Sequence, residues 1–175
     1  DYLCGVDQFG RAFMPSISDK KDKQVGIFYF IWHGSEPSMN GIYNNTVLLK
    51  ENPQALWDKA GSAISPTNMF HYWGEPLFGY YKATDEFVLR RHIEMLTAAQ
   101  IDYIAIDVTN AQTYDSAWRR LFKLLDEYQQ QGWNVPKVVF MTHSYSFLTI
   151  KKLYTSIYKR EYYPNLWYRP DGERP

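Results

Sequence analysis

Asp107 and Glu75 are the two carboxylates whose settings suit acid–base chemistry, and His33, His71 and His143 are the imidazoles best placed to assist. Asp107 follows the largely apolar run 101–106. A carboxylate there is costly unless it is hydrogen-bonded at the rim of a sheet, and the rim is where ligands bind. The competing role is scaffolding, with Asp107 accepting hydrogen bonds from the amides of Thr109 and Asn110. Glu75 lies in the loop His71-Tyr72-Trp73-Gly74-Glu75-Pro76-Leu77-Phe78-Gly79-Tyr80-Tyr81, which carries five aromatic rings. A carboxylate beside an indole has a raised pKa if it is desolvated, which suits a general acid. Rings such as Trp73 and Tyr81 stack on sugar faces, while His, Asn and carboxylate groups bind hydroxyls. The alternative for this loop is a hydrophobic plug over the end of a sheet. Glycoside hydrolysis needs two carboxylates about 5–5.5 Å apart for retention, or about 6.5–9.5 Å for inversion. Glu75 with Asp107 is the pair this chain offers.

Three buried strands position these groups. The run 25–32 has no polar alternation, as in a strand covered on both faces, and ends at His33. Residues 101–106 form a second strand ending at Asp107, and 137–142 a third ending at His143. Helices are expected from Thr84 or Asp85 to about Gln100, from 114 to 131 with Gly132 as its stop, and from Ser146 to about Arg160. In the last, Ile150, Leu153, Tyr154 and Ile157 should face inward. His92 lies beside Val88 and Met95 on a helix face and reads as a packed structural histidine. The stretch 35–84 is rich in Gly, Pro, Asn and Ser, with one helix expected around 52–64 and Pro53 in its first turn. A short strand fits 166–168. Strands alternating with helices make an α/β fold with a parallel sheet of three to four strands. In such folds the ligand lies beyond the carboxyl ends of the strands, so His33, Asp107, Asn110 and His143 should converge on one face.

Composition narrows the function classes. Nineteen basic residues balance nineteen acidic ones among 175, which argues against nucleic acid and against a polyanionic membrane surface. No apolar run is long enough to span a membrane. A single cysteine, Cys4, excludes an internal disulfide framework. Aromatic residues make up 18% of the chain: some must build the core, and so many Trp and Tyr also suit a surface where flat rings meet a half-polar ligand, the alternative being a core with ordinary surface tyrosines. There is no Gly-rich phosphate loop and no Gly-x-Ser-x-Gly elbow. His33, Asp107 and His143 could bind a metal chemically, but no close His-x-x-x-His or Cys-x-x-Cys spacing supports it, and neither metal nor cofactor is expected.

An eight-stranded barrel needs about 250 residues, so the chain holds either a small open sheet or the first half of a barrel. Residues 1–24 read as a polar lead-in and 25–175 as the partial barrel. The chain begins with Asp1, as a cleaved or trimmed product would, and shows no signal segment. A half barrel leaves an open apolar edge, which favours self-association.

Several motifs together resemble the endo-α-mannosidase/endo-α-mannanase family of glycoside hydrolases. They are the strand Gly26-Ile27-Phe28-Tyr29-Phe30-Ile31-Trp32-His33-Gly34, the helix entry Gly79-Tyr80-Tyr81 with Asp85, and Arg91-His92 with Met95-Leu96 on the helix. Ala98-Ala99-Gln100 before the strand at 101–107 and Trp167-Tyr168-Arg169-Pro170-Asp171-Gly172 complete the pattern. His-Trp-Gly-Glu-Pro-like and Asp-x-Thr-Asn segments are also similar to those of secreted proteins from carbohydrate-degrading bacteria. The resemblance implies a (β/α)8 barrel acting on glycosidic bonds, a carbohydrate substrate, and a secreted or periplasmic location. It also implies that the family's paired catalytic carboxylates lie in the second half of the barrel, beyond this chain. The positions that carry over are sugar-contacting ones: the aromatic residues of the first strand and the loop beyond it. His33 stands where the family has Tyr, and Asp107 where its second strand is less acidic. A non-catalytic carbohydrate-binding or structural module is the alternative from a different class.

Overall fold

The computed structural model describes residues 5–13, 23–34, 41–58 and 61–175. Cys4 and most of the charged stretch before Gln24 lie outside them. In chain order the elements are β1 (Gly5–Val6), β2 (Ala12–Phe13), β3 (Gly26–Tyr29), β4 (Tyr43–Asn44), α1 (Asn45–Glu51), β5 (His71–Tyr72), α2 (Glu86–Ala98), β6 (Tyr103–Asp107), α3 (Asp115–Gln130), β7 (Lys137–Met141) and α4 (Ser146–Ser156). Strands β3, β6 and β7 form one parallel sheet in that order, with Gly26 opposite Tyr103 and Tyr103 opposite Lys137. A parallel bridge from Val138 to Trp167, with the Tyr168 amide donating to the Val138 carbonyl at 2.9 Å, begins a fourth strand beside β7. Three strands joined by helical crossovers are thus in place, as the alternation of patterns requires.

The helices form for identifiable reasons. The Asp85 carboxylate caps α2 by accepting the Val88 amide at 3.1 Å. In α3 the buried residues Ala117, Trp118, Leu121, Phe122, Leu125 and Tyr128 make a broad apolar face against the sheet. The helix stops at Gly132, whose φ of +87° lets the Trp133 amide return to the Tyr128 carbonyl. The core joins this face to Ile31, Ile104, Ile106, Val138 and Leu166.

Four expectations need correction. The helix expected around 52–64 is instead α1, at Asn45–Glu51, because the Asn44 side chain caps it through the amides of Thr46 and Val47; Pro53 opens a separate 3₁₀ turn, Pro53–Leu56. In α4 the inward stripe is Thr149, Leu153 and Ile157, while Ile150 and Tyr154 are exposed; the helix ends at Ser156 and a 3₁₀ turn, Tyr158–Arg160, follows. In α2, Val88, Leu89 and Ile93 are buried but Met95 is exposed. The strand at 25–32 is not covered on both faces. It is an edge strand, and Phe28 and Phe30 remain 39% and 47% exposed. Within the polar lead-in, β1 and β2 pair as a short antiparallel hairpin.

Side-chain alternation divides the sheet into two faces. Tyr29 and Ile31 point toward α2, whereas Phe28, Phe30 and Trp32 stack edge to face along the opposite face, at centroid spacings of 4.7 and 5.2 Å.

Candidate functional site

His33 is the focus of the carboxyl ends of the strands. Its carbonyl accepts the Ala83 amide at 2.7 Å, which fastens the end of the aromatic loop to the end of β3. Its ring lies 5.3 Å from that of Tyr81, and its Nδ1 is buried with no hydrogen-bond partner. Burial pushes its pKa below the ordinary imidazole range. Two of the cavities that His33 lines also reach Tyr72. One, of about 190 Å³, is lined by His33, Tyr72, Gly74, Pro76, Tyr80 and Tyr81. The other, of about 110 Å³, is lined by Phe30, Trp32, His33, Phe70 and Tyr72.

The loop is held from below by α1 and the short parallel pair β4–β5. Asn44 donates to the Tyr80 hydroxyl at 2.9 Å, and Thr46 donates to the Trp73 carbonyl at 2.9 Å. With its backbone fixed in this way, the Trp73 indole is left 70% exposed, as a stacking platform must be. His71 has both ring nitrogens engaged: Nδ1 with the Met69 carbonyl at 2.9 Å and Nε2 with the Ser65 hydroxyl at 3.0 Å. Since a carbonyl only accepts, Nδ1 carries the proton and Nε2 accepts. His71 therefore braces the loop. Glu75 is exposed to solvent, so the desolvation that would suit it as a general acid is absent.

Asp107 is 1% exposed and turned into its own loop, where a carboxylate oxygen accepts the Thr109 amide at 2.9 Å. Half of the expected scaffolding role is thus observed. Asn110 instead sends its side-chain amide to the Tyr114 hydroxyl at 2.5 Å. His143 is exposed beside Ser144, and the Ser144 amide donates to the Thr109 carbonyl at 2.8 Å, tying the ends of β6 and β7 together.

Apart from His71, which is bonded to Met69 and Ser65, the expected residues fall into two groups. His33 and Tyr81 meet at the cavities, with Trp73 and Glu75 on the loop above. Asp107, Asn110 and His143 occupy the neighbouring strand ends and line neither of the two cavities. Trp32 joins the groups: its indole NH donates to the Asp107 carbonyl, and its ring stacks on Tyr114 at 6.4 Å and 24°. Trp32 enters the sequence reading only through the resemblance, as one of the first-strand aromatic residues expected to contact sugar, and the alternation Phe28, Phe30, Trp32 sets it on the face away from the helices. Tyr72 and Tyr80 likewise belong to the loop expected to contact sugar, without roles of their own. A further cavity, of about 490 Å³, lies at the opposite, amino ends of the strands, among Asp102, Lys137, Asn165 and Trp167. Lys137 is pushed down in pKa by burial there and donates to the Asn165 carbonyl at 2.6 Å.

No family model and no curated protein matches the chain. Two solved structures of the GH99 endo-α-mannosidase from Bacteroides thetaiotaomicron are similar to it. One, in complex with bis-tris propane, superposes with a TM-score of 0.50 at 17% identity, over 86% of this chain and 40% of that one. The other gives 0.50 at 18% identity, over 84% and 42%. The chain thus spans about two fifths of the length of these structures. At such identity the likeness speaks to the fold. The parallel sheet with its flanking helices resembles part of a (β/α)8-barrel glycoside hydrolase, as the strand motifs implied.

Proposed function

We propose that the chain is part of the catalytic barrel of a glycoside hydrolase and that the rim around His33 and Trp73 binds a glycan or polysaccharide. The observation that carries this reading is a cavity walled by Tyr72, Tyr80, Tyr81 and His33 at the carboxyl ends of parallel strands, with the exposed indole of Trp73 borne between two of its lining residues, Tyr72 and Gly74. Aromatic walls with a few polar groups suit sugar rings. Asp107 and Glu75 are the carboxylates we assign to catalysis or substrate binding, with Asn110 and His143 as hydroxyl contacts. We place the protein outside the cytoplasm, secreted or periplasmic, and infer self-association through the open edge of β3.

One observation favours a second reading, a non-catalytic carbohydrate-binding module. Asp107 is bonded into its own loop and Glu75 is solvated, which is not how a working acid–base pair is held. Affinity electrophoresis against a panel of soluble polysaccharides, α-mannan included, tests binding. Retardation by at least one polysaccharide, reduced in Trp73→Ala, supports the rim. No retardation by any of them overturns it. Release of reducing sugar by the full-length gene product then separates enzyme from module.

A further inference from the structure

Beneath the aromatic loop lies a contact that carbohydrate binding alone does not require. His92, on α2, has its Nδ1 2.9 Å from the Tyr29 hydroxyl of β3. Its ring meets Tyr81 edge-on at 5.8 Å and Phe78 at 6.1 Å, both residues of the loop. His33, from the end of β3, presses on the same Tyr81 at 5.3 Å. A space of about 250 Å³ bounded by Tyr29, His33, Tyr81, Ala83, Leu89 and His92 lies between them. The descending limb of the loop, residues 78–83, is therefore held against the sheet and α2 by two imidazoles acting on its own Phe78 and Tyr81 rings and by the hydrogen bond from Ala83 to His33.

We infer that His33 and His92 form an acid-sensitive latch, which holds the aromatic loop closed while both rings are neutral and releases it when they take up protons. The groups facing the pair are the Tyr29 hydroxyl from β3, and Tyr81 and Lys82 from the loop; Lys82 shares the 190 Å³ cavity with His33. Among the described residues no carboxylate pairs with either imidazole, so a proton arriving on one meets another imidazole and a lysine rather than a counter-charge. Nδ1 of His33 is buried without an acceptor, so a proton there would be left unsatisfied. The energetics agree with the geometry. Burial lowers the pKa of both residues, and His33 lowers that of His92 further. The sign follows directly: the closed loop refuses protons that the released loop accepts near the ordinary imidazole value of 6.5. Closure is thus fully favoured above that value and weakens as the pH falls through and below it. The latch rests on the proposed carbohydrate rim for its purpose, since it would let ligand go in acid, but not for its existence.

Hydrogen–deuterium exchange of the whole chain between pH 7.5 and pH 5, corrected for intrinsic exchange, reads the latch without any ligand. Protection of residues 70–83 should fall at least about tenfold, with α3 unchanged. His92→Gln, which can still bond Tyr29 but cannot take up a proton, should flatten that profile, and His33→Asn should do the same by an independent route. Loop protection that ignores pH, that is lost together with α3, or that keeps its full pH dependence in both variants overturns the inference. Polysaccharide binding measured separately at pH 7.5 distinguishes failure of the rim from failure of the latch.

Discussion

The indole NH of Trp32 donates to the backbone carbonyl of Asp107 across 3.4 Å, joining the ends of two neighbouring parallel strands. The bond is long, so its contribution is small, and the stack on Tyr114 supplies the rest. Trp32→Phe keeps a ring over Tyr114 and should cost about 1 kcal/mol in urea unfolding. Trp32→Ala removes both and should cost about 2–4 kcal/mol. Equal losses in the two variants would show that the hydrogen bond, not the stack, joins the strand ends.

Gly26 marks the register of β3. A Cβ there would lie 2.2 Å from the Tyr103 ring, which itself stacks on Tyr168 at 4.2 Å and 25°. Gly26→Ala should therefore destabilise the fold by about 1–3 kcal/mol. In a Tyr103→Ala background the same substitution should cost much less, because the obstructing ring is gone. Denaturation midpoints of the four-member cycle measure this.

Trp73 separates binding from stability. Its indole is exposed, so Trp73→Ala should change the unfolding free energy by less than about 0.5 kcal/mol. Loss of one stacking ring, about 0.5–1.5 kcal/mol, should weaken polysaccharide binding by about 2–10-fold. Calorimetric titration and thermal melting on the same samples test the two halves of the statement.

Asp107→Asn, made in the full-length gene product, distinguishes chemistry from scaffolding. Asparagine can still accept the Thr109 amide, so the melting temperature should hardly move. If Asp107 acts in catalysis or substrate binding, hydrolysis should fall by at least about 100-fold, some 2.7 kcal/mol. Full activity in this variant would return Asp107 to the rim's architecture.

The exposed rings of Phe28 and Phe30 on the edge strand bear on self-association. Sedimentation of the chain should show concentration-dependent association that Phe30→Ser reduces. A single monomeric species at all concentrations would remove that proposal.

Much of the fold was legible because two periodicities were strong. The runs 25–32, 101–106 and 137–142 are largely apolar and bounded, and the stripe Trp118, Leu121, Phe122, Leu125, Tyr128 has helical spacing. Helix α1 was missed because its stabilisation is a cap rather than a stripe; the signal was Asn44 followed by Thr46 and Val47. For the site, the meeting of His33 with the loop followed from the position of His33 at a strand end. The desolvation of Glu75 did not follow from its adjacency to Trp73, because neighbours in sequence on an exposed loop need not share a burial. Trp32 was legible only through the family resemblance, because within an apolar run nothing but the two-residue alternation tells the inner face from the outer.

The sheet's register also sets an order of assembly. Tyr103 pairs with Lys137 through one compact helical crossover, whereas Gly26 must find Tyr103 across the long 34–84 region and α2, a loop roughly twice the length. The unit β6–α3–β7 also owns most of the fully buried side chains, among them Trp118, Phe122, Leu124 and Leu125. The folding nucleus should lie there, with β3 docking after the rate-limiting barrier. Truncations at Leu121 should then slow folding, while truncations at Ile31 should mainly speed unfolding. The strand that carries His33 would be the last to arrive and the first to leave, which puts the loop-bearing rim at the least persistent edge of the molecule.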